Sequence, residues 1–454
     1  MPKIGTKGGG IKELRDLFSK NSKEPPVFKK PVVKKKNHFR LFFCILIVVV
    51  LAANFIFVGK TAASYVIGNV QPISFFGDGK FLILFQNNSE LRSSGGFIGS
   101  FAVLEMQNFE VKNLTFNTNI YKLDKDFAKT NYETAPAPLK NNLRGRSWAL
   151  RDSNYDASFP EAASDITHFY EKEAGDKIDG IIAINASMMV DLLKVTGPVT
   201  LDKYRVTINS DNFFQETQFQ IEKAYFQDPE NMLQNEPKTI IKDLYPEIVS
   251  RALNQNKMKL GSVLFDELQN KNIQLYFKDA SKQDVILAKN WGGAVAAQTD
   301  QNYLYVVANN YGGNKSSLSV HQSYEYEIVG REASLAISRI HRGTFDWPNG
   351  INESYIRILV PEGSLISSAS LNGRDVKGVI DQTVEAGKTS YGILAKVAPG
   401  QAEIIKINFE LPDGVNKKRL IVQKQPGTIG DELRVIRAGR IVYDGLLQGD
   451  LNIE

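Results

Sequence analysis

Hydrophobic and polar positions divide the chain into unequal parts. From Leu41 to Val58 the sequence LFFCILIVVVLAANFIFV runs for eighteen residues without a charge. Extended to Phe39 it covers about twenty residues, roughly 30 Å of helix, which matches the hydrocarbon core of a bilayer. One transmembrane helix is predicted over residues 39–58. Beyond it the apolar residues group in runs of strand length. Residues 81–85 (FLILF) and 97–106 are continuous runs separated by a turn that contains Gly95 and Gly96, and residues 111–116 alternate as a third strand.

Residues 125–142 are polar and contain prolines, which predicts a long loop. Ser158-Phe-Pro-Glu161 has the pattern of a capping box, and Ile166, Phe169 and Tyr170 mark the apolar face of a helix ending near Gly175. Residues 178–184 predict a buried strand, with Asn185 as cap for a helix over 186–195 and Gly197-Pro198 as its stop. Three helical segments are expected over 211–270, the middle one with Leu244, Ile248 and Leu253 on one side. A strand over 273–277, a short helix opened by Ser281-Lys-Gln-Asp284 and a strand over 303–307 complete a pattern typical of α/β layers.

After Ser317 the helical period ends. Residues 319–329, 334–341, 355–360, 376–380, 392–397 and 403–409 predict short strands at turn-rich intervals, a β-sandwich of about 110 residues. The expected organisation is a basic cytoplasmic tail over 1–38, the transmembrane helix over 39–58 and a stalk over 59–78. An α/β ectodomain with a mixed sheet follows over 79–316, then an all-β sandwich over 317–424. A C-terminal extension over 425–454 either adds strands or trails off.

Charge fixes the topology. The 454-residue chain has a formal net charge of +5, yet residues 1–40 carry twelve Lys and Arg against Glu13, Asp16 and Glu24. That tail is +9 and the remaining 414 residues are −4, so bulk charge is no argument for nucleic acid, and no such partner is expected. Lys29, Lys30, Lys34, Lys35, Lys36 and Arg40 crowd one flank of the apolar segment. By the positive-inside rule the N-terminus stays in the cytoplasm and everything after residue 58 is extracytoplasmic. A cleaved signal peptide competes, because Thr61, Ala62 and Ala63 follow the apolar run. The long basic stretch and long apolar core favour an uncleaved signal anchor. Cys44, the single cysteine, lies within that segment. The exported part therefore has no disulfide, thiol nucleophile or cysteine metal site, which suits a bacterial surface protein.

Candidate chemistry narrows to two segments. His168, His321 and His341 are scattered without metal-binding spacing and are expected as surface or partly buried polar residues. Gly312-Gly-Asn-Lys-Ser316 resembles the end of a phosphate loop, but Asn314 interrupts it, and a turn between the two domains is the expectation. In Asn87-Asn-Ser-Glu-Leu-Arg-Ser-Ser-Gly-Gly96, Arg92, Gly95 and Gly96 fall at the C-terminal end of the first strand. Open α/β sheets bind ligands there, and glycine-rich backbone can cradle anions. In Arg144-Gly-Arg-Ser-Trp-Ala-Leu-Arg-Asp152, Arg144, Arg146 and Arg151 suit bidentate phosphate recognition. Asp152 and Asp156 behind them suit a hard cation such as Mg²⁺. The structural alternative is a tight glycine hairpin with Arg/Asp ion pairs.

The runs LFQNNSELRSSGGFIGS (84–100), LRDSNYDASFPEAA (150–163), IDGIIAINASMMVDLLKVTGPV (178–199) and ANNYGGNKSSLSV (308–320) together resemble a bacterial family known as domain of unknown function 4012. YIRILVPEGS (355–364) resembles its C-terminal part, and the resemblance covers most of 80–410. More distantly, the chain is similar to the LytR-CpsA-Psr family. Its members carry one N-terminal membrane helix and transfer polyprenyl-pyrophosphate-linked glycopolymers to cell-wall acceptors, using arginines on the pyrophosphate and acidic residues with Mg²⁺. Arg92 falls where that family has a phosphate-binding arginine. Two departures stand out: Asn87, Asn88 and Ser89 replace the Asp expected before it, and residues 116–121 (FNTNIY) replace a Ser-Ile-Pro-Arg-Asp motif.

The resemblance implies a LytR-CpsA-Psr-like ectodomain of the cell envelope. It would bind a phosphate-linked cell-wall glycopolymer, its polyprenyl-pyrophosphate carrier or peptidoglycan, and as an enzyme would be a glycopolymer phosphotransferase. Arg92, Arg151 and Asp152 are the candidate catalytic residues. Gly95, Gly96, Arg144 and Arg146 are candidate ligand-binding residues, and Glu90 and Asp152 are candidate Mg²⁺ ligands. The alternative expectation is a non-catalytic surface scaffold or adhesion protein whose sandwich binds a partner.

Overall fold

The apolar run at 81–85 is continuous because its strand is covered on both faces. The computed structural model describes residues 77–454 apart from 109, 144, 228, 298 and 299. The segments expected as a cytoplasmic tail and a transmembrane helix, and nearly all of the expected stalk, lie outside the described residues. Strands β1 (Gly79–Arg92), β2 (Gly95–Gln107), β3 (Glu110–Asn117) and β4 (Gly180–Asn185) pack in one sheet. After a two-stranded ribbon of β5 (Val199–Leu201) and β6 (Val206–Ile208), β7 (Ile273–Phe277) closes that sheet in the order β3-β2-β1-β4-β7. Only the β1–β4 pair is parallel, so the sheet is mixed.

Along β1 the side chains alternate between two cores. Phe81, Ile83 and Phe85 join residues of the helices Ser187–Thr196, Thr239–Leu253 and Lys257–Gln269 and Phe213 of the helix Phe213–Glu222. Leu82 and Leu84 join the helices Ile120–Phe127 and Phe159–Ala174 on the other face. Among the described residues no helix is long and apolar enough to cross a membrane.

The rest of the chain is β-rich. Its strands are β8 (Gln301–Asn310), β9 (Val320–Val329), β10 (Glu332–His341), β11 (Asn352–Pro361), β12 (Leu365–Leu371), β13 (Arg374–Asp375) and β14 (Asp381–Glu385). They continue with β15 (Lys388–Val397), β16 (Ala402–Glu410), β17 (Asn416–Gln423), β18 (Asp431–Arg437), β19 (Arg440–Leu447) and β20 (Leu451–Ile453). Seven strands form one sheet in the order β13-β12-β16-β10-β9-β18-β19, and six form another, β14-β15-β11-β8-β17-β20. Leu304, Val306, Ile356, Ile358 and Ile393 from the second meet Tyr326, Leu335, Ile337, Ile405 and Phe409 from the first in one core.

Several expectations change. The strand foreseen at 303–307 is β8, and it sits inside the six-stranded β-rich sheet between β11 and β17 rather than in the α/β layer. Residues 425–454 do not trail off, since β18, β19 and β20 complete both sheets. Residues 376–380 hold a 3₁₀ turn at Lys377–Val379, and the strand follows as β14. The 125–142 stretch is not one long loop: Ile120–Phe127 is capped by Asn119, whose side chain accepts from Lys122 N. Ala137–Leu143 is a second helix there, and it buries Leu139 and Leu143 against Ala135 and Tyr155. Four α-helices, not three, occupy 211–270, because the short helix Pro229–Gln234 intervenes.

Two predicted caps also serve elsewhere. Ser158 precedes its helix, but its Oγ accepts from Val295 N at 3.3 Å. Asn185 accepts from Gly96 N at 3.0 Å, while Ala186 takes the cap position.

The tip of the β1–β2 hairpin reaches from the first sheet into the β-rich part. Its register shifts after Phe85 and again between Asn87 and Leu91, and Leu91 enters the core shared by the two β-rich sheets. Leu91 N donates to Ser317 Oγ at 3.0 Å, Asn88 Nδ2 to Gly427 O at 2.9 Å, and Gln425 Nε2 to Arg92 O at 2.9 Å. Gly96 packs so tightly that a Cβ there would lie 2.2 Å from the Asn87 carbonyl carbon.

Candidate functional site

The bulged end of β1 carries Glu90 and Arg92 on one face. The short 3₁₀ turn Leu150–Asp152 brings Arg151 and Asp152 against them. Arg92 donates to Glu90 Oε1 at 2.8 Å and lies 3.7 Å from Asp152 Oδ1. Arg151 pairs with Asp152 at 3.2 Å and with Asp124 at 3.0 Å. The second oxygen of Glu90 accepts from Lys315, and the Arg92 guanidinium also donates to the Asn310 carbonyl. Burial alone would raise the Glu90 pKa, but Arg92 and Lys315 outweigh it and hold the carboxyl below its ordinary value. Burial, reinforced by Glu173, pushes Asp124 up to about 8.

Phe97 on β2 gathers three cations. Arg92, Lys315 and Lys238 lie 5.3, 5.5 and 5.8 Å from its ring centroid, within cation–π range. Beyond them opens a cavity of about 310 Å³. Its wall is largely apolar, with Phe85, Phe213, Phe214, Ile221, Ile241 and Tyr245 contributing, and Lys238 and Lys315 line it too. Lys238 is buried and donates to the Gly99 carbonyl. No carboxylate among the described residues lies within ion-pair distance of it. Burial, with Lys315 adding like-charge repulsion, pulls its ammonium down to about 7. A buried amine with no carboxylate in direct contact, at the end of a largely apolar cavity, is suited to a ligand that brings an anion and an apolar tail.

Arg92, Arg151, Asp152 and Glu90 therefore share one cluster. Arg146 is exposed, with Nε on the Leu143 carbonyl at 3.1 Å, and makes no contact with that cluster. Arg144 lies outside the described residues. Gly95 and Gly96 do not sit in the hairpin turn, which Ser93 and Ser94 make, but open β2: a Cβ on Gly95 would meet Gln86 Oε1 at 2.4 Å, and the Gly96 amide is taken by Asn185. The glycines serve close packing, as the structural alternative held. His168 is an exposed partner of Glu133, and His341 is buried with its ring bonded to Gly350 O and Gly343 N.

Lys238, Lys315, Phe97 and Asp124 were not singled out by sequence reasoning. Lys315 belongs to the Gly-Gly-Asn-Lys-Ser turn, which joins β8 to β9 within the β-rich part rather than bridging two domains. Its lysine in a glycine-rich turn was the available signal.

A divalent ion does not fit the arrangement. Both oxygens of Glu90 face cations, Asp152 faces two guanidinium groups, and among the described residues no cluster of three or more His, Cys, Asp or Glu is placed to hold a metal. The site is a charge-compensated cation cluster beside an apolar cavity.

The molecule is thus a mixed α/β domain joined to β-rich sheets, with the cluster of Glu90, Arg92, Asp152 and Lys315 where the two meet. Residues 77–221 match the family described as "Protein of unknown function (DUF4012)", which bears out the resemblance read from the sequence over that stretch. No curated protein gives a significant match to the chain.

Proposed function

We propose that this is a membrane-anchored, extracytoplasmic protein of the bacterial envelope that binds the phosphate-bearing end of a polyprenyl-linked cell-wall glycopolymer. The cavity beside Lys238 carries the proposal, since a largely apolar wall ending at a buried amine that has no direct ion-pair partner matches an isoprenoid joined to a phosphate. A volume of about 310 Å³ is at the low end for ligand pockets, roughly 300–1,000 Å³. It admits the first part of such a chain and leaves the rest outside. The distant similarity to LytR-CpsA-Psr proteins and the sequence signal for an N-in anchor over 39–58 support the same reading.

The chain's own residues divide the work. Lys238 and Lys315 face the phosphate, while Arg92 orients Glu90, which in turn fixes Lys315. Arg151 is held by Asp124 and Asp152 one step behind. If the bound group is transferred, these cations stabilise charge building on the departing phosphate. No step is assigned to Mg²⁺, because the carboxylates already face cations.

The second reading, a non-catalytic scaffold, is favoured by the internal pairing of Glu90 and Arg92. Binding of polyprenyl pyrophosphate to the purified full chain separates the two. Micromolar or tighter affinity, weakened at least about tenfold (about 1.4 kcal/mol) by Lys238→Met, supports the lipid-phosphate reading. Absence of measurable binding would favour the scaffold.

A further inference from the structure

The cavity has an aromatic rim. Glu222 and Phe226, which line it, belong to the helix Phe213–Glu222 and the 3₁₀ turn Ala224–Gln227 that follows. From the β-rich part the β10–β11 connection reaches across to the same place. Trp347 Nε1 donates to Glu222 Oε2 at 2.8 Å, Phe219 meets the indole edge-on with centroids 6.4 Å apart, and Lys223 sits 4.2 Å above it. Around this contact Phe226 is 54% exposed and Phe345 is 68% exposed. Leu233, in the helix Pro229–Gln234 tied to Tyr225 through Asn231, is 89% exposed.

Large apolar side chains at such exposure, mixed with a tryptophan and a lysine, are the composition of a surface that meets lipid headgroups. We infer that this rim docks on the surface of the bilayer that anchors the chain, so that the cavity opens toward the lipid phase. The inference rests on the anchored, lipid-binding reading above.

The occupant follows from chain length. Between the apolar segment and β1 lie residues 59–78, a tether that spans at most roughly 70 Å when fully extended. From Gly79, where β1 begins, to Gln86 at the cavity is about 25 Å along a strand. The tether is long enough to let the rim turn back onto the membrane and too short to let it escape. A bilayer is therefore always within reach at high effective concentration, and each aromatic side chain needs to contribute little for docking to be populated.

The test uses the full chain in vesicles of equal parts phosphatidylcholine and phosphatidylglycerol, some carrying lipids brominated near the headgroup end of the acyl chain. Bromine quenches indole on contact, and the difference between wild type and Trp347→Phe isolates the signal of Trp347 from those of Trp148 and Trp291. Docking is expected to quench the Trp347 component by about half or more, and the doubly exposed pair change Phe226→Ser with Phe345→Ser to reduce that quenching at least about twofold. Flotation with the vesicles but no quenching of Trp347 overturns docking and leaves the anchor standing. Failure of the full chain to float overturns the anchor and docking with it. Cross-linking of Phe345→Cys between two copies, with quenching lost, would assign the rim to self-association and overturn the proposal. Lipid-phosphate affinity measured in detergent, where no bilayer exists, reads the cavity separately.

Discussion

Replacing Lys238 by methionine should make the ligand-free protein more stable while removing its hold on an anion. The folded chain releases the Lys238 proton near 7, whereas the unfolded chain keeps it up to 10.5. Between those values the unfolded state binds more protons, so this residue makes stability rise with pH, by about 1.4 kcal/mol per pH unit. Its destabilising effect is complete below about 7 and gone above about 10.5. Near pH 7 it amounts to roughly 4 kcal/mol, on the order of the full cost of holding an unpaired ammonium in that wall. Methionine keeps the unbranched stem and suits the apolar wall, but it gives up the bond to the Gly99 carbonyl, worth about 1 kcal/mol. The net expectation is a gain of about 3 kcal/mol at neutral pH that fades toward pH 10. Urea unfolding of the full chain in detergent, followed by tryptophan fluorescence across that range, reads it directly. A Lys238→Met protein that is less stable than wild type at pH 7, or whose stability climbs with pH as steeply as the wild type's, would refute the reasoning.

Arg92→Ala leaves Glu90 buried with only Lys315 against it and strips a donor from the Asn310 carbonyl. It should cost about 3–5 kcal/mol in the same unfolding assay, with Arg92→Lys recovering part of the loss. Gly96→Ala drives a Cβ into backbone 2.2 Å away and should abolish soluble expression or lower stability by more than about 4 kcal/mol. Asp124, pushed up to about 8 by burial and by Glu173, holds its proton when folded and loses it near 3.8 when unfolded. It therefore lowers stability as pH rises from about 4 to about 8, and Asp124→Asn should flatten that part of the pH profile. Lys315→Met should weaken inorganic pyrophosphate binding, measured by calorimetry, with a smaller effect on an uncharged isoprenoid alcohol.

The period of side chains is a local property, and the elements it governs were legible. The continuous run at 81–85 and the helix bearing Ile166, Phe169 and Tyr170 appear where the pattern puts them. Partner choice is not local. The run at 303–307 has the same character as 81–85, yet it pairs with β11 and β17, which lie later in the chain. Helix Ala137–Leu143 was hidden because its buried side chains, Leu139 and Leu143, are too few to set a period. At the site, residue type together with the strand-end position and the family resemblance of Arg92 pointed to Arg92, Arg151 and Asp152, whose contacts span about 60 residues of sequence. Lys238 precedes an ordinary helix, and its burial depends on Phe97 and the Gly99 carbonyl some 140 positions away. A depressed amine has no signature in its neighbours along the chain.

The hairpin tip that places Leu91 in the β-rich core sets the size of the smallest piece of this protein that can exist alone. The match to the family ends at residue 221. A fragment cut there would lose β7 from the edge of its own sheet and expose Leu91, Asn88 and the Arg92 carbonyl, whose partners are Gly427 and Gln425. The stretch that matches the family model is thus shorter than what must fold as one.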